Sequence, residues 1–361
     1  MSKNVVFYSP ISLEPWNHIT PWTTGIGGSE TCHIELSELL AKRKHKVISY
    51  NNKDTVIINP SPYGVDWRKH EDIEIGENQN WFVFRDPYFF DRKDLAGKRN
   101  QYIFVAQDVD YDWNEDRLSK IDRYMCLCKA HADYTLHKYP SLSGRVIISS
   151  NGIRSTYIKE MYQFHPQQRN PKRLMYASSP DRGLKLILEN WFRIRERVPE
   201  AELVIFYGFN NVDEIVKRMG GNSDLVVLKA ELEELFNQPG VHFLGRKNQR
   251  DIFLEWMKSG IFFYPSDWPE TSCISIMEAQ ACGAIPITNK YWAQGENCLN
   301  GILIDGVPQR DDLTKHRMIR YCIDLLQDTE YQESLRKQCI EDALDSFDWE
   351  KIATQWEGLL I

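Results

Sequence analysis

The sequence predicts an α/β protein built from two Rossmann-like domains, and three observations carry that expectation. Short apolar runs bounded by turn residues alternate with helical patterns along the chain, as in parallel sheets with crossover helices. The length of 361 residues fits two domains that each own a core. The third observation is the unit 260–288. There Gly260-Ile-Phe-Phe-Tyr264 reads as a buried strand stopped by Pro265, a tight loop follows, and a helix begins at about Ser272. Gly283 stops that helix and Ala284-Ile-Pro-Ile-Thr288 forms the next strand. In such sheets ligands sit beyond the carboxyl ends of the strands.

Composition narrows the classes of function. Hydrophobic residues make up 42% and charged residues 26% of the chain, as in ordinary globular proteins. No stretch approaches the roughly 20 apolar residues of a membrane span. The first residues run into a strand without a signal-peptide core, so a cytoplasmic location is expected. A formal charge of −7 argues against a general nucleic-acid coat, which needs clustered cations. The eight cysteines lie mostly in apolar segments without a Cys-x2-Cys pair and read as reduced, buried hydrophobes.

Asn4-Val-Val-Phe-Tyr8 is the first expected strand. A long aromatic loop leads from it to Thr24-Gly-Ile-Gly-Gly-Ser-Glu30, where Ser29 is expected to cap a helix running to Lys44. Gly27 and Gly28 either let the backbone approach a phosphate or sugar or make a simple tight connection. Their spacing is not that of a dinucleotide fingerprint, which weighs against an NAD-dependent oxidoreductase. Further strands are expected at 45–49, 55–58, 81–84, 102–106, 124–127 and 145–148. Arg85-Asp86 and Gln107-Asp108 follow two of them and project into a cleft by the strand-end rule. Asp108 either orients an acceptor hydroxyl or caps the following loop. The aromatics Trp16, Trp22, Tyr88 and Phe89 either stack on ligands or belong to the core.

The polar stretch from Tyr157 to Asn170 reads as a linker between domains at 1–160 and 171–345. Lys172-Arg-Leu-Met-Tyr-Ala177 opens the second domain, and one amphipathic helix is expected from Gly183 to Arg197. Arg182, at the strand-to-helix turn, is well placed for a diphosphate, while Lys185 reads as a weaker candidate or a surface residue. A strand at 202–208 and helices at 212–219 and 231–236 follow. The strand 240–245 leads into Lys247, either a second phosphate cation or an ordinary exposed lysine.

In the central unit, Glu270 precedes the helix and Glu278 lies within it, with seven residues between. The amides of Thr271, Ser272 and Cys273 can face an anion at the helix start, and a carboxylate beside them can accept sugar hydroxyls. Alternatively, Glu270 only favours the helix start and Glu278 sits on a solvated face.

The order Pro-Ser, Glu270, seven residues, Glu278-Ala, Ala-Cys-Gly283 and Pro-Ile-Thr288 resembles the signature of retaining GT-B glycosyltransferases of the family-four type. The resemblance extends to Asn151-Gly-Ile153, to Arg182-Gly183 in place of the family's Lys-Gly, to Gly240–Gly245 and to Asn300-Gly-Ile-Leu-Ile304. It implies that Glu270 contacts the donor sugar, Glu278 the ribose and Arg182 the pyrophosphate, with Gly27 and Gly28 facing the donor. It also implies that the two domains face across a cleft and that residues 346–361, with Trp349 and Trp356 as packing residues, form a last helix that returns to the first domain. Thr271-Ser-Cys273 replaces the family's Gly-Phe-Gly, so the sugar pocket is expected to differ in detail.

The function this implies is retaining transfer of a hexosyl or pentosyl group from a nucleotide sugar, UDP- or GDP-linked, to an acceptor hydroxyl. Arg182, Lys247 and the Ser272 helix terminus offset the leaving charge without a metal or further cofactor. The alternatives are an epimerase of nucleotide sugars on the same fold and a non-catalytic nucleotide-sugar-binding module. The acceptor stays open among a glycan, a lipid-linked sugar and a modified nucleobase.

Overall fold

The computed structural model describes residues 1–12, 14–51, 61–218 and 224–361. The chain forms two compact units, one of Met1–Gly152 with Trp349–Ile361 and the other of Ile153–Asp348.

In the first unit the strands are β1 (Asn4–Tyr8), β2 (Lys46–Asn51), β3 (Asp66–Lys69), β4 (Asn80–Phe84), β5 (Gln101–Val105), β6 (Arg123–Cys126) and β7 (Val146–Ile148). They pair in the order β3-β2-β1-β4-β5-β6-β7, and every pairing is parallel. Parallel strands are buried on both faces and therefore read as continuous apolar runs, as β4 does with all five residues buried. β3 escaped the sequence reading because Asp66-Trp-Arg-Lys69 places charges on an edge strand. The strand expected at 55–58 lies outside the described residues.

The second unit repeats the plan with β8 (Asn170–Ala177), β9 (Glu202–Phe206), β10 (Val241–Gly245), β11 (Ser259–Tyr264), β12 (Ile285–Asn289) and β13 (Ile302–Ile304). The order is β10-β9-β8-β11-β12-β13, again parallel throughout. This is the doubly wound order, whose direction reverses between β8 and β11, as it does between β1 and β4 in the first unit. The ligand crevice of such a sheet lies at that reversal.

The expected linker is not one. Ser155–Phe164 is a helix of the second unit with Ser155, Ile158 and Met161 buried, and Tyr162 donates to the Ala281 carbonyl at 3.2 Å. Its exposed polar face gave it a linker's composition, while the buried residues recur every third position. The helix expected over 183–197 is split into Leu184–Glu189 and Trp191–Arg197. Asn190 interrupts it by donating its side-chain amide to the Leu186 carbonyl at 2.8 Å. The helix expected at 212–219 is Asn210–Arg218, with 219 outside the described residues, and the one expected at 231–236 starts earlier, as Asp224–Leu235.

The last helix, Trp349–Glu357, belongs to the first unit. Arg43 clamps it, with Nη2 2.8 Å from Glu350 Oε2 and Nη1 3.0 Å from Glu357 Oε2. Trp356 is fully buried, 4.7 Å from the Phe82 ring between centroids, and its Nε1 donates to Ser149 Oγ at 2.8 Å. Of the aromatics weighed as stacking residues, Trp16 and Phe89 are core, whereas Trp22 and Tyr88 are exposed. All eight cysteines are free and buried.

Trp356→Ala removes a ring that no neighbour can replace. It is expected to destabilise the first unit by about 3–5 kcal/mol, read as a lower urea midpoint for that unit's unfolding.

Candidate active site

The reversal between β8 and β11 brings together residues far apart in sequence. The loop after β8 carries Arg182 and the loop after β11 carries Glu270, and Arg182 Nη1 donates to Glu270 Oε1 at 2.5 Å. Tyr264, the last residue of β11, donates its hydroxyl to the same oxygen at 2.7 Å. The guanidinium lies over the Trp268 ring, 4.6 Å from its centroid, a cation–π contact that orients its plane. Burial disfavours the charged guanidinium, but Glu270, Tyr264 and Asp181 together outweigh it and hold the group firmly protonated. Arg182 Nε is buried without a hydrogen-bond partner among the described residues.

Gly183 makes this approach possible. Its φ is 94°, and a Cβ there would lie 2.0 Å from the Pro265 carbonyl oxygen, so only glycine fits. That carbonyl also accepts from Gln309 Nε2 at 2.7 Å. Lys185, one turn on, pairs with Glu231 at 2.7 Å, which is a surface role.

The helix after Glu270 is Ile274–Ala281 with Cys273 as its N-cap, two residues later than expected from the apolar spacing. The amide of Cys273 is already taken: it donates to Asn297 Oδ1 at 2.8 Å. Burial pushes the Cys273 thiol up, well beyond its ordinary range, so it is no nucleophile. Of the three residues expected to offer amides to an anion, Cys273 is therefore excluded by its own partner. Thr271 is buried and Ser272 half-buried.

Glu278 does not sit on a solvated face. It is buried within the helix, accepts a hydrogen bond from Gln249 Nε2, and burial pushes its carboxyl up to about 7 against the opposing effects of Arg154 and Gln249. Lys247 follows the edge strand β10, two strand spacings or about 10 Å from β8. It lines a cavity of about 290 Å³ with Asp251, Leu254 and Glu255 and has no ion-pair partner among the described residues.

The first unit has a cluster at its own reversal. Arg85, directly after β4, places Nε 2.7 Å and Nη2 3.2 Å from the two Asp108 oxygens, and Nη1 3.5 Å from Glu30 Oε1. Asp108 thus spends its carboxylate on Arg85 rather than on capping the loop. Gly27 is the N-cap of the helix Gly28–Lys42, and a Cβ on it would meet Glu30 Oε2 at 2.9 Å. Ser29, expected as the cap, instead donates to Gln107 Oε1 at 3.4 Å. Glu30 and Tyr264 went unnoticed in the sequence. Glu30 follows a glycine turn in an ordinary helix start, and Tyr264 ends an aromatic-rich strand. Among the described residues no group of three or more His, Cys, Asp or Glu side chains could hold a metal ion.

Known structures share this architecture. Sucrose-phosphate synthase of Thermosynechococcus elongatus superposes with a TM-score of 0.71 at 14% identity, over 99% of this chain and 98% of that one. HepE of Anabaena, in complex with UDP and glucose, gives 0.68 at 14% identity over 99% of both chains. The catalytic domain of starch synthase IV from Arabidopsis thaliana, bound to ADP and acarbose, gives 0.68 at 13% identity over 100% and 99%. No curated protein sequence matches significantly. Two units of this strand order and this likeness show the GT-B fold. Residues 163–342, which span the loops of Arg182, Glu270 and Glu278, match the family model "Glycosyl transferases group 1".

Two predictions follow from the geometry. Gly183→Ala is expected to cost roughly 1–3 kcal/mol and to displace Arg182 from Glu270, seen as lost nucleotide response in a thermal-shift assay. Glu278 binds its proton more tightly folded than unfolded. Its favourable contribution is therefore complete below the ordinary glutamate range and is lost as pH rises through about 7. Glu278→Gln removes that dependence. The melting temperature of wild type minus that of the variant is expected to fall between pH 5 and pH 8, and a flat difference would contradict the burial of this carboxyl.

Proposed function

We propose that the chain transfers a hexosyl or pentosyl group from a nucleotide sugar to an acceptor hydroxyl, with retention of anomeric configuration and without a metal. The observation that carries this reading is the Arg182–Glu270 pair at the reversal of the second sheet, 2.5 Å apart, within the segment that matches the group 1 family. A cation with unspent donors suits a diphosphate, and a carboxylate beside it suits sugar hydroxyls. Neighbours of the same fold hold UDP or ADP, which supports a nucleoside diphosphate donor; a UDP- or GDP-sugar is the expected form.

In this mechanism the bond between C1 and the phosphate oxygen breaks, and the diphosphate leaves with the electron pair. The acceptor oxygen bonds to C1 on the same face, and its proton passes to the departing phosphate oxygen. Arg182 offsets the charge growing on the diphosphate, with Lys247 as the second cation. Glu270 orients the sugar as C1 becomes cationic, and Glu278 accepts from the ribose. Within the first unit, Asp108 is the candidate for a hydroxyl and the turn at Gly27 and Gly28 the candidate for a phosphate or sugar. The acceptor is a glycan, a lipid-linked sugar or a modified nucleobase, and the expected location is the cytoplasm.

The test is a thermal-shift and nucleotide-release screen against UDP-, GDP-, ADP- and CMP-sugars. One donor class is expected to stabilise the wild type. Arg182→Ala is expected to lower turnover by roughly 10²-fold or more, and Glu270→Ala to abolish the response to the sugar. Stabilisation by no donor would refute the reading.

A further inference from the structure

We propose that Tyr264 is a positioning residue for the carboxylate that reads the donor sugar, an inference that rests on the role given to Glu270 above. Two donors converge on one oxygen of Glu270: the Tyr264 hydroxyl at 2.7 Å and Arg182 Nη1 at 2.5 Å. Glu270 Oε2 has no donor among the described residues. A carboxylate held by one oxygen from two directions cannot rotate freely, so Oε2 is presented to a ligand in one orientation.

The two donors are not equivalent. Arg182 is charged, and its buried Nε lacks a partner, so an arriving diphosphate supplies what that N–H lacks and competes with Glu270 for the guanidinium. Tyr264 is neutral and meets no such competition. Its ring is fixed by burial at the end of β11, with the Phe262 ring 5.1 Å and the Tyr176 ring 6.0 Å away between centroids. Its oxygen also lies 3.3 Å from Ser178 Oγ, in the loop after β8. Burial and the neighbouring Glu270 charge hold the phenol protonated, so it remains a donor. Tyr264 therefore keeps Glu270 aimed while Arg182 turns to the phosphates.

Tyr264→Phe retains the ring and deletes only this donor. The experiment is calorimetric binding of UDP, UDP-glucose, GDP and GDP-mannose to the full chain, for wild type, Y264F, E270Q and the double variant. The expected result is that Y264F binds the nucleoside diphosphate within about twofold of wild type and loses roughly tenfold in affinity for its sugar ester, the scale of one hydrogen bond to a charged group. In the E270Q background the tyrosine substitution is expected to change nothing further, because its effect passes through the carboxylate. Equal weakening of diphosphate and sugar ester by Y264F, or full additivity with E270Q, would overturn the proposal while leaving the donor site intact. Failure of wild type to bind any of the four ligands would overturn both this proposal and the site on which it rests.

Discussion

The parallel pairing of β8 with β11 is the constraint on which the second unit's site depends. Leu174 lies opposite Ile261 and Met175 opposite Phe262, so both strands end at the same edge and release their loops side by side. A parallel neighbour can be reached only through a long crossover, and here the crossover carries β9 and β10 to the far side. Arg182 and Glu270, 88 positions apart in sequence, meet because of that topology. Smaller contacts then fix the distance between the two loops. Gly183 has no Cβ to push Pro265 away, and Ser275 Oγ donates to the Ala177 carbonyl at 2.7 Å.

The two glutamates of this unit show how surroundings divide labour between identical side chains. Glu270 has a guanidinium and a phenol on one oxygen. Glu278 is buried with the amide of Gln249 as its hydrogen-bond donor and titrates near neutrality. A partly buried ion pair adds little net stability, because desolvation offsets most of the attraction, yet losing one member strands the other. The pair at Arg182 therefore adds little to the stability of the unit.

The sequence made most of the fold legible because parallel strands are apolar on both faces. β1, β4, β5, β8, β9, β11 and β12 all stand out as short buried runs. It failed where burial and composition part company. β3 is a charged edge strand, and Ser155–Phe164 is a mostly polar helix with a narrow buried face. In the site, the spacing around Glu270 and Glu278 and the Arg182-Gly183 turn were readable as motifs. The shared use of Glu270 Oε1 was not, since it depends on a rotamer of Tyr264 that no spacing encodes. The start of the helix at Ile274 was placed two residues early because the apolar spacing marks the helix face and not its first turn, whereas the amide of Cys273 is satisfied by Asn297.

Each unit carries an arginine at its own sheet reversal, and the difference between the two bears on what each can bind. Arg85 is in the left-handed region, with φ of 63°, a conformation costly for a residue with a Cβ. It directs Nε and Nη2 to Asp108 and Nη1 to Glu30. Three of its nitrogens are thus engaged by two carboxylates, and burial raises the Glu30 carboxyl toward its neutral form. Such a cluster has little positive charge to offer a phosphate, but its half-exposed Asp108 oxygens suit a hydroxyl. Arg182 engages one carboxylate through one nitrogen and keeps Nε unspent. The second unit's arginine therefore keeps a donor for an anion and the first unit's does not, a difference set by how many carboxylates each arginine already holds.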